Sequence, residues 1–234
     1  MRFGGKVALV AGGTGGLGKS VSLALLAEGA HVVVTYIIPE EFDALRAAAE
    51  GPLEGHHLDV TDEGATRQLV QDTVANHGRL DYLVNTVGGY AGGIKLWDLD
   101  TKTFDHMYAL NLRSGYALAR AVVPQMLQQK SGAIVNIAAK AALDHAAGAS
   151  AYASSKAAAL AMMDSLAEDL RGTGVRVNSI LPSIIDTEMN RRAMPAADFS
   201  KWPKPEDIAK VILFLLSDDA KVVHGAAVPV YGAL

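Results

Sequence analysis

Cysteine is absent from this chain of 234 residues. That excludes disulfides, a thiol nucleophile and thiolate metal sites. An excess of either charge is absent too: 21 Lys and Arg stand against 25 Asp and Glu, for a formal charge of −4. Nothing in that balance draws the chain to nucleic acid or an anionic membrane, and neither is expected as a partner. No apolar run approaches the ~20 residues of a membrane helix. The first strand-like run begins at Lys6, so no signal peptide is expected before the fold, and a cytoplasmic location is the expectation. Linkers, repeats and low-complexity segments are missing. With half its residues hydrophobic and 20% charged, the chain reads as one globular domain over 1–234.

Short β-branched or apolar runs alternate with longer helical stretches. Strands are expected at 7–11, 31–36, 54–58, 82–85, 133–138, 175–181 and 226–230. Helices are expected near 16–28, 40–50, 62–77, 101–129, 151–171 and 205–216, the last opened by Pro205-Glu206-Asp207. Such alternation predicts an α/β fold with a parallel sheet of about seven strands and helices on both faces. The segment 187–204 breaks the pattern, carrying Met189, Arg191, Arg192, Met194, Pro195, Phe199 and Trp202. It follows the C-terminal end of a strand, where an irregular segment covers a ligand or is a packed excursion.

The first expected strand runs into Gly12-Gly13-Thr14-Gly15-Gly16-Leu17-Gly18 and then a helix. Glycines let backbone approach a pyrophosphate, and the helix start offers free N–H groups with partial positive charge. Gly13 to Ser20 also spells Gly-x-x-x-x-Gly-Lys-Ser, the letters of a phosphate-binding P-loop; no obvious acid for its magnesium accompanies it. At the end of the second strand a carboxylate would favour NAD and an arginine NADP. Thr35-Tyr36-Ile37-Ile38 supplies neither, and Gly15 adds no basic group, so NADH and NADPH stay open as cofactors. Asp59 and Val60 close the third strand. The Asp59 carboxylate either meets an adenine amino group or caps the helix that follows.

Tyr152 and Lys156 lie four residues apart on a predicted helix, on one face. A phenol has a pKa of ~10, and a nearby ammonium lowers it. A phenol tuned this way exchanges a proton with a carbonyl, alcohol or imine. The histidines are scattered, His56-His57 lacks metal-ligand spacing, and no metal site is expected.

Together these pieces resemble the short-chain dehydrogenase/reductase family over essentially the whole chain. Its glycine pattern matches Ala11-Gly12-Gly13-Thr14-Gly15-Gly16-Leu17-Gly18. Its Asn-Asn-Ala-Gly appears as Asn85-Thr86-Val87-Gly88, its helix asparagine as Asn111, and its Tyr-x-x-x-Lys as Tyr152 to Lys156. Its Arg-Val-Asn-x-x-x-Pro-Gly appears as Arg176 to Pro182-Ser183, with Thr187 after it. The resemblance implies a single doubly wound Rossmann domain and a nicotinamide cofactor. It implies that Gly12, Thr14, Gly16, Leu17, Gly18, Tyr36, Asp59, Val60, Asn85, Gly88, Lys156, Pro182 and Thr187 hold the cofactor. It makes Tyr152, Lys156 and Asn111 catalytic, with Asn111 placing Lys156 through a water. The family's usual serine falls at Ala139, between Ala138 and Lys140. Two explanations follow: an inactive enzyme, or a substrate that does not need the serine.

The run Ala139 to Asp144, the loop Gly88 to Gly93 and the segment Asp186 to Trp202 resemble the quinonoid dihydropteridine reductase branch, which also lacks this serine. Tyr36 stands where that branch has an aspartate. The resemblance implies hydride transfer to a quinonoid dihydropterin or similar flat heterocycle, with Tyr90, Ala139 and Met189 around the substrate and 187–204 as a lid. For Tyr90, stacking on the substrate and chance exposure stay equally open. A small-molecule substrate is expected, as is self-association into a dimer or tetramer through the long helices.

Overall fold

The computed structural model describes residues 1–233. Seven strands form one sheet in the order β3-β2-β1-β4-β5-β6-β7, and every neighbouring pair is parallel. The strands are β1 (Val7–Ala11), β2 (His31–Tyr36), β3 (Leu53–His57), β4 (Tyr82–Asn85), β5 (Gly132–Ile137), β6 (Val175–Pro182) and β7 (Ala227–Val230). The helices are α1 (Gly16–Ala27), α2 (Pro39–Ala48), α3 (Glu63–His77), α4 (Thr101–Tyr108), α5 (Ser114–Gln129), α6 (Ser150–Asp169), α7 (Glu188–Ala193) and α8 (Pro205–Leu216). The fold is thus the single α/β domain the alternation predicts.

Period-two alternation along β1 feeds two cores. Ala8 and Val10 face Val21 and Leu25 of α1 and Ile212 of α8. Val7, Leu9 and Ala11 face Leu69 and Val70 of α3, Leu118 of α5 and Met163 of α6. Both sheet faces are therefore apolar, which is why these strands read as continuous hydrophobic runs. The order reverses between β1 and β4. Doubly wound sheets bind ligands in the crevice outside the strands' C-terminal ends at such a reversal. No helix among the described residues is long and apolar enough to cross a membrane.

Three expectations change. The helix expected over 101–129 is interrupted: a π-helical turn, Ala109–Arg113, separates α4 from α5. It sits at Asn111, and an extra residue in one turn re-aims a side chain without ending the helix. The cap of α3 is Asp62, which accepts from the backbone N–H groups of Gly64 and Ala65. Asp59 instead accepts from the Thr61 N–H and hydroxyl in a tight turn, so it is not the helix cap. The segment 187–204 is not wholly irregular. It holds α7, capped by Thr187, and a single 3-10 turn, Phe199–Lys201.

Candidate active site at the crevice between β1 and β4

Three glycines after β1 have separate geometric reasons. Gly12 turns at φ +70°, a conformation L side chains rarely adopt. A Cβ at Gly16 would lie 2.7 Å from Thr187 Cγ2, and one at Gly18 only 2.1 Å from the Gly12 carbonyl oxygen. The loop is thereby pressed against both α1 and the start of the 187–204 segment. Gly15 precedes α1 with no side-chain cap, so no side chain covers the first amides of the helix, Leu17 and Gly18 among them. Thr35 Oγ1 accepts from Gly12 N at 3.0 Å, and Thr86 Oγ1 donates to the carbonyls of Ala11 and Gly12. Those two threonines fasten the loop to β2 and to the end of β4.

At the end of β2, Tyr36 stacks flat on Phe42, centroids 4.7 Å apart. Thr14 Oγ1 donates to Glu41 Oε2 at 2.9 Å. Asp59 is exposed and Val60 buried. Val60 packs in the core beneath α3, so its side chain is not presented to the crevice.

Beyond β4 the chain approaches the tyrosine–lysine pair. Asn85 is buried, donating to Asn136 Oδ1 and accepting from Val87 N, which shapes the loop. A Cβ on Gly88 would meet Asn111 Oδ1 at 2.9 Å and Lys156 Nζ at 3.0 Å. Glycine there is what lets backbone, asparagine and lysine share one place. Asn111 exchanges two hydrogen bonds with the Gly89 backbone and donates to Ser155 Oγ at 3.0 Å. Lys156 is buried and donates to the Ile137 carbonyl at 2.8 Å.

Burial pushes the Lys156 ammonium down to about 8. Burial, with Tyr90 adding to it, pushes the Tyr152 phenol up to about 12. The sequence-based expectation that Lys156 draws the phenol below its ordinary value is therefore corrected. Desolvation penalises both charged forms and dominates here. That direction favours the protonated phenol at neutral pH.

Tyr90 lies edge-on to Tyr152, centroids 4.9 Å apart and planes at 75°. A Cβ on Gly92 would fall 2.0 Å from the Tyr90 hydroxyl, so the glycine leaves room for this pose. Ala139 is buried at the end of β5 and its methyl offers no donor. Pro182 ends β6, Thr187 caps α7, and Met189 is 78% exposed. Arg191 pairs with Asp186 and lies over Phe199, while Trp202 is buried, so the 187–204 segment is pinned at both ends.

Glu41, Ser155, Thr35 and Thr86 escaped sequence reasoning. Glu41 stands in the first turn of α2, and no spacing rule carries it to Thr14.

The family model for short chain dehydrogenase matches residues 6–198. A 3-oxoacyl-[acyl-carrier-protein] reductase, FabG, of Thermotoga maritima is 33% identical, covering 100% of this chain and 99% of that protein. D-threitol dehydrogenase of Mycolicibacterium smegmatis is 32% identical over 99% of this chain and 93% of its own. Among solved structures, levodione reductase superposes with a TM-score of 0.93 at 28% identity, covering 99% and 98% of the two chains. An NAD+-bound xylitol dehydrogenase superposes at 0.92 with 27% identity, covering 99% and 100%. The glycine loop, the tyrosine–lysine pair and these likenesses agree: the chain belongs to the short-chain dehydrogenase family.

Proposed function

We propose that this protein is a nicotinamide-dependent reductase whose acceptor is already electron-poor, a quinonoid dihydropterin or a similar flat heterocycle. The observation that carries this reading is Ala139, a buried methyl at the position where the resemblance puts a hydroxyl donor. An ordinary ketone needs that donor; losing one costs roughly 3 kcal/mol of barrier by analogy with other oxyanion sites. A quinonoid ring spreads the incoming charge itself. The resemblance of 88–93, 139–144 and 186–202 to the dihydropteridine reductase branch supports the same choice.

The residues present fit a dinucleotide. Gly12, Thr14, Gly16, Leu17 and Gly18 would hold the pyrophosphate on uncapped helix amides. Tyr36, Asp59 and the Val60 backbone would hold the adenosine, and Asn85, Gly88, Lys156, Pro182 and Thr187 the nicotinamide half. When bound, the nicotinamide supplies or accepts a hydride. Tyr152 gives the proton to the reduced acceptor, and Lys156 carries the positive charge beside it. Asn111, bound to Gly89 and Ser155, holds the loop and α6 in register. Tyr90 presents an aromatic surface to the acceptor, and 187–204, with Met189 outward, covers it as a lid.

NADH is the preferred form in this reading. Glu41 accepts from Thr14 of the glycine loop, which would set its carboxylate at the adenosine ribose, and neither the glycine loop nor Thr35–Ile38 carries a cation before Lys19. A carboxylate accepts a 2′-hydroxyl and repels a 2′-phosphate.

Stopped-flow oxidation of NADH and NADPH with freshly generated quinonoid dihydropterin, and with simple ketones, tests both statements. Turnover on the pterin with NADH favoured at least tenfold is the expected result. Tyr152→Phe should lower kcat by about 100-fold or more with cofactor affinity retained. Turnover on ketones alone would overturn the pterin reading in favour of an ordinary carbonyl or alcohol substrate, as the names of the relatives suggest. Cofactor binding without turnover on any acceptor would leave a nucleotide-binding protein.

A further inference from the structure

At the opposite end of the sheet from the crevice, three side chains far apart in sequence converge. His31 Nε2 lies 2.8 Å from Glu54 Oε1, and His77 Nε2 lies 3.0 Å from the same oxygen. The two imidazole centroids are 4.0 Å apart, tilted by 42°. One ligand atom from each of the three lies within 4.8 Å of the others. The backbone explains the meeting. In the parallel ladder Glu54 pairs with Val33, so it shares a sheet face with Val33 and with His31 two residues earlier. Val33 packs beneath Leu69 and Val70 of α3, and His77 is the last residue of that helix.

Hydrogen bonding alone accounts for the cluster incompletely. His31 and Glu54 make a well-formed bond. The His77 nitrogen is buried and makes no hydrogen bond among the described residues: its approach to Glu54 is close but misaligned. A buried nitrogen aimed into a carboxylate and a second imidazole, without a partner of its own, is a ligand geometry.

We propose that His31, Glu54 and His77 form a binding site for a late first-row divalent cation, zinc foremost. Two imidazoles and one carboxylate are a zinc donor set, with solvent completing the tetrahedron. Imidazole nitrogen disfavours magnesium and calcium. Tetrahedral bonds of ~2.0–2.1 Å put ligand atoms about 3.3 Å apart, so the present contacts open by a few tenths of an ångström on binding. The side chains keep 25%, 37% and 17% exposure, which leaves an open side for water and for entry. His77 also stands at the negative end of α3, which favours a cation. The site lies at the start of β2, about 16 Å along the strand from Tyr36, so its ion does not reach the crevice. It ties β2, β3 and α3, the outer edge of the nucleotide-binding half, into one unit. Positions 31, 54 and 77 show no metal spacing in sequence; only the ladder brings them together.

The test uses the full chain stripped with EDTA. Competition against a chromophoric chelator is expected to give one zinc per chain at micromolar affinity or tighter. Zinc at a hundredfold excess over Kd should raise the unfolding midpoint by about 5 °C or more. His31→Gln, Glu54→Gln and His77→Gln should each weaken binding at least tenfold with NADH binding unchanged, while the His57→Gln control binds as the parent does. Anomalous diffraction at the zinc edge reads the parent protein directly and does not depend on the variants folding. A peak between the three side chains supports the site. A peak elsewhere, no stoichiometric zinc, or parent-like affinity in folded His77→Gln overturns it.

Discussion

In the proposed function, Ala139 and Lys156 are the single side chains on which the chemistry turns. Ala139→Ser places a hydroxyl just beyond the end of β5, at the residue that precedes the 3-10 turn Lys140–Ala142. In the reading advanced above, that donor should raise kcat/KM for simple ketones about tenfold or more and leave the pterin rate within about twofold. Equal gains on both acceptors would show that the pterin transition state also lacks a donor. Lys156 is also a cost to stability, one that the proposed role beside Tyr152 would explain. Its ammonium falls from 10.5 to about 8 through burial, which at pH 7 corresponds to about 3 kcal/mol. The sign follows from proton counting. Between pH 8 and 10.5 the unfolded chain binds the proton and the folded chain does not, so stability contributed at this site rises with pH across that window. Below pH 8 the penalty is full. Urea melts of the parent and of Lys156→Met at pH 7.5 and 9.5 check it: the stability difference between the two proteins should shrink as the pH rises. A difference that stays constant would place the lysine's pKa near its ordinary value.

Individual elements owe their positions to polar side chains that sequence motifs advertise for other reasons. Arg176, first of the Arg-Val-Asn run, is half-buried and donates to the carbonyls of Leu215, Leu216 and Ser217 at the end of α8. It satisfies carbonyls the helix itself leaves free and puts a cation at the negative end of the dipole. Asn178 donates to the Val223 carbonyl and accepts from Ala226 N, which holds the approach to β7. The motif therefore works as scaffolding behind the crevice. Arg176→Met should lower stability by about 2–3 kcal/mol and the unfolding midpoint by about 5–10 °C, with NADH affinity retained in the folded fraction. Loss of affinity at unchanged stability would instead put the arginine in the cofactor site. The π-helical turn at Asn111 makes the same point about backbone. There the wider turn carries Asn111, which bonds to the Gly89 backbone and Ser155.

Across the whole molecule, α5 and α6 leave a groove lined by Tyr116, Val123, Pro124, Met162 and Leu166. Tyr116 is 43% exposed and the Ala-rich stretches of both helices permit close approach. Self-association on this face is our proposal for its use. Sedimentation equilibrium should find a dimer or tetramer, and Val123→Glu should shift it to monomer, because the added carboxylate would lose water without gaining a partner. A parent protein that sediments as a monomer at micromolar concentration would sink the proposal.

Sequence alone determined the strand–helix alternation, the parallel sheet, the glycine loop and the tyrosine–lysine pair. These are local: each rests on residue type and spacing within one strand, turn or helix. Tertiary structure decided what depends on burial and on contacts between elements. Spacing places Lys156 beside Tyr152, yet desolvation favours the protonated phenol. Sequence spacing offers no link between Glu41 and Thr14; the fold brings them within 2.9 Å. The sequence reads as one helix over 101–129, yet a π turn stands at Asn111, where the side chain meets the Gly89 backbone and Ser155 of α6. His31, Glu54 and His77 are unremarkable apart; the parallel register of β2 with β3, and the length of α3, bring them together.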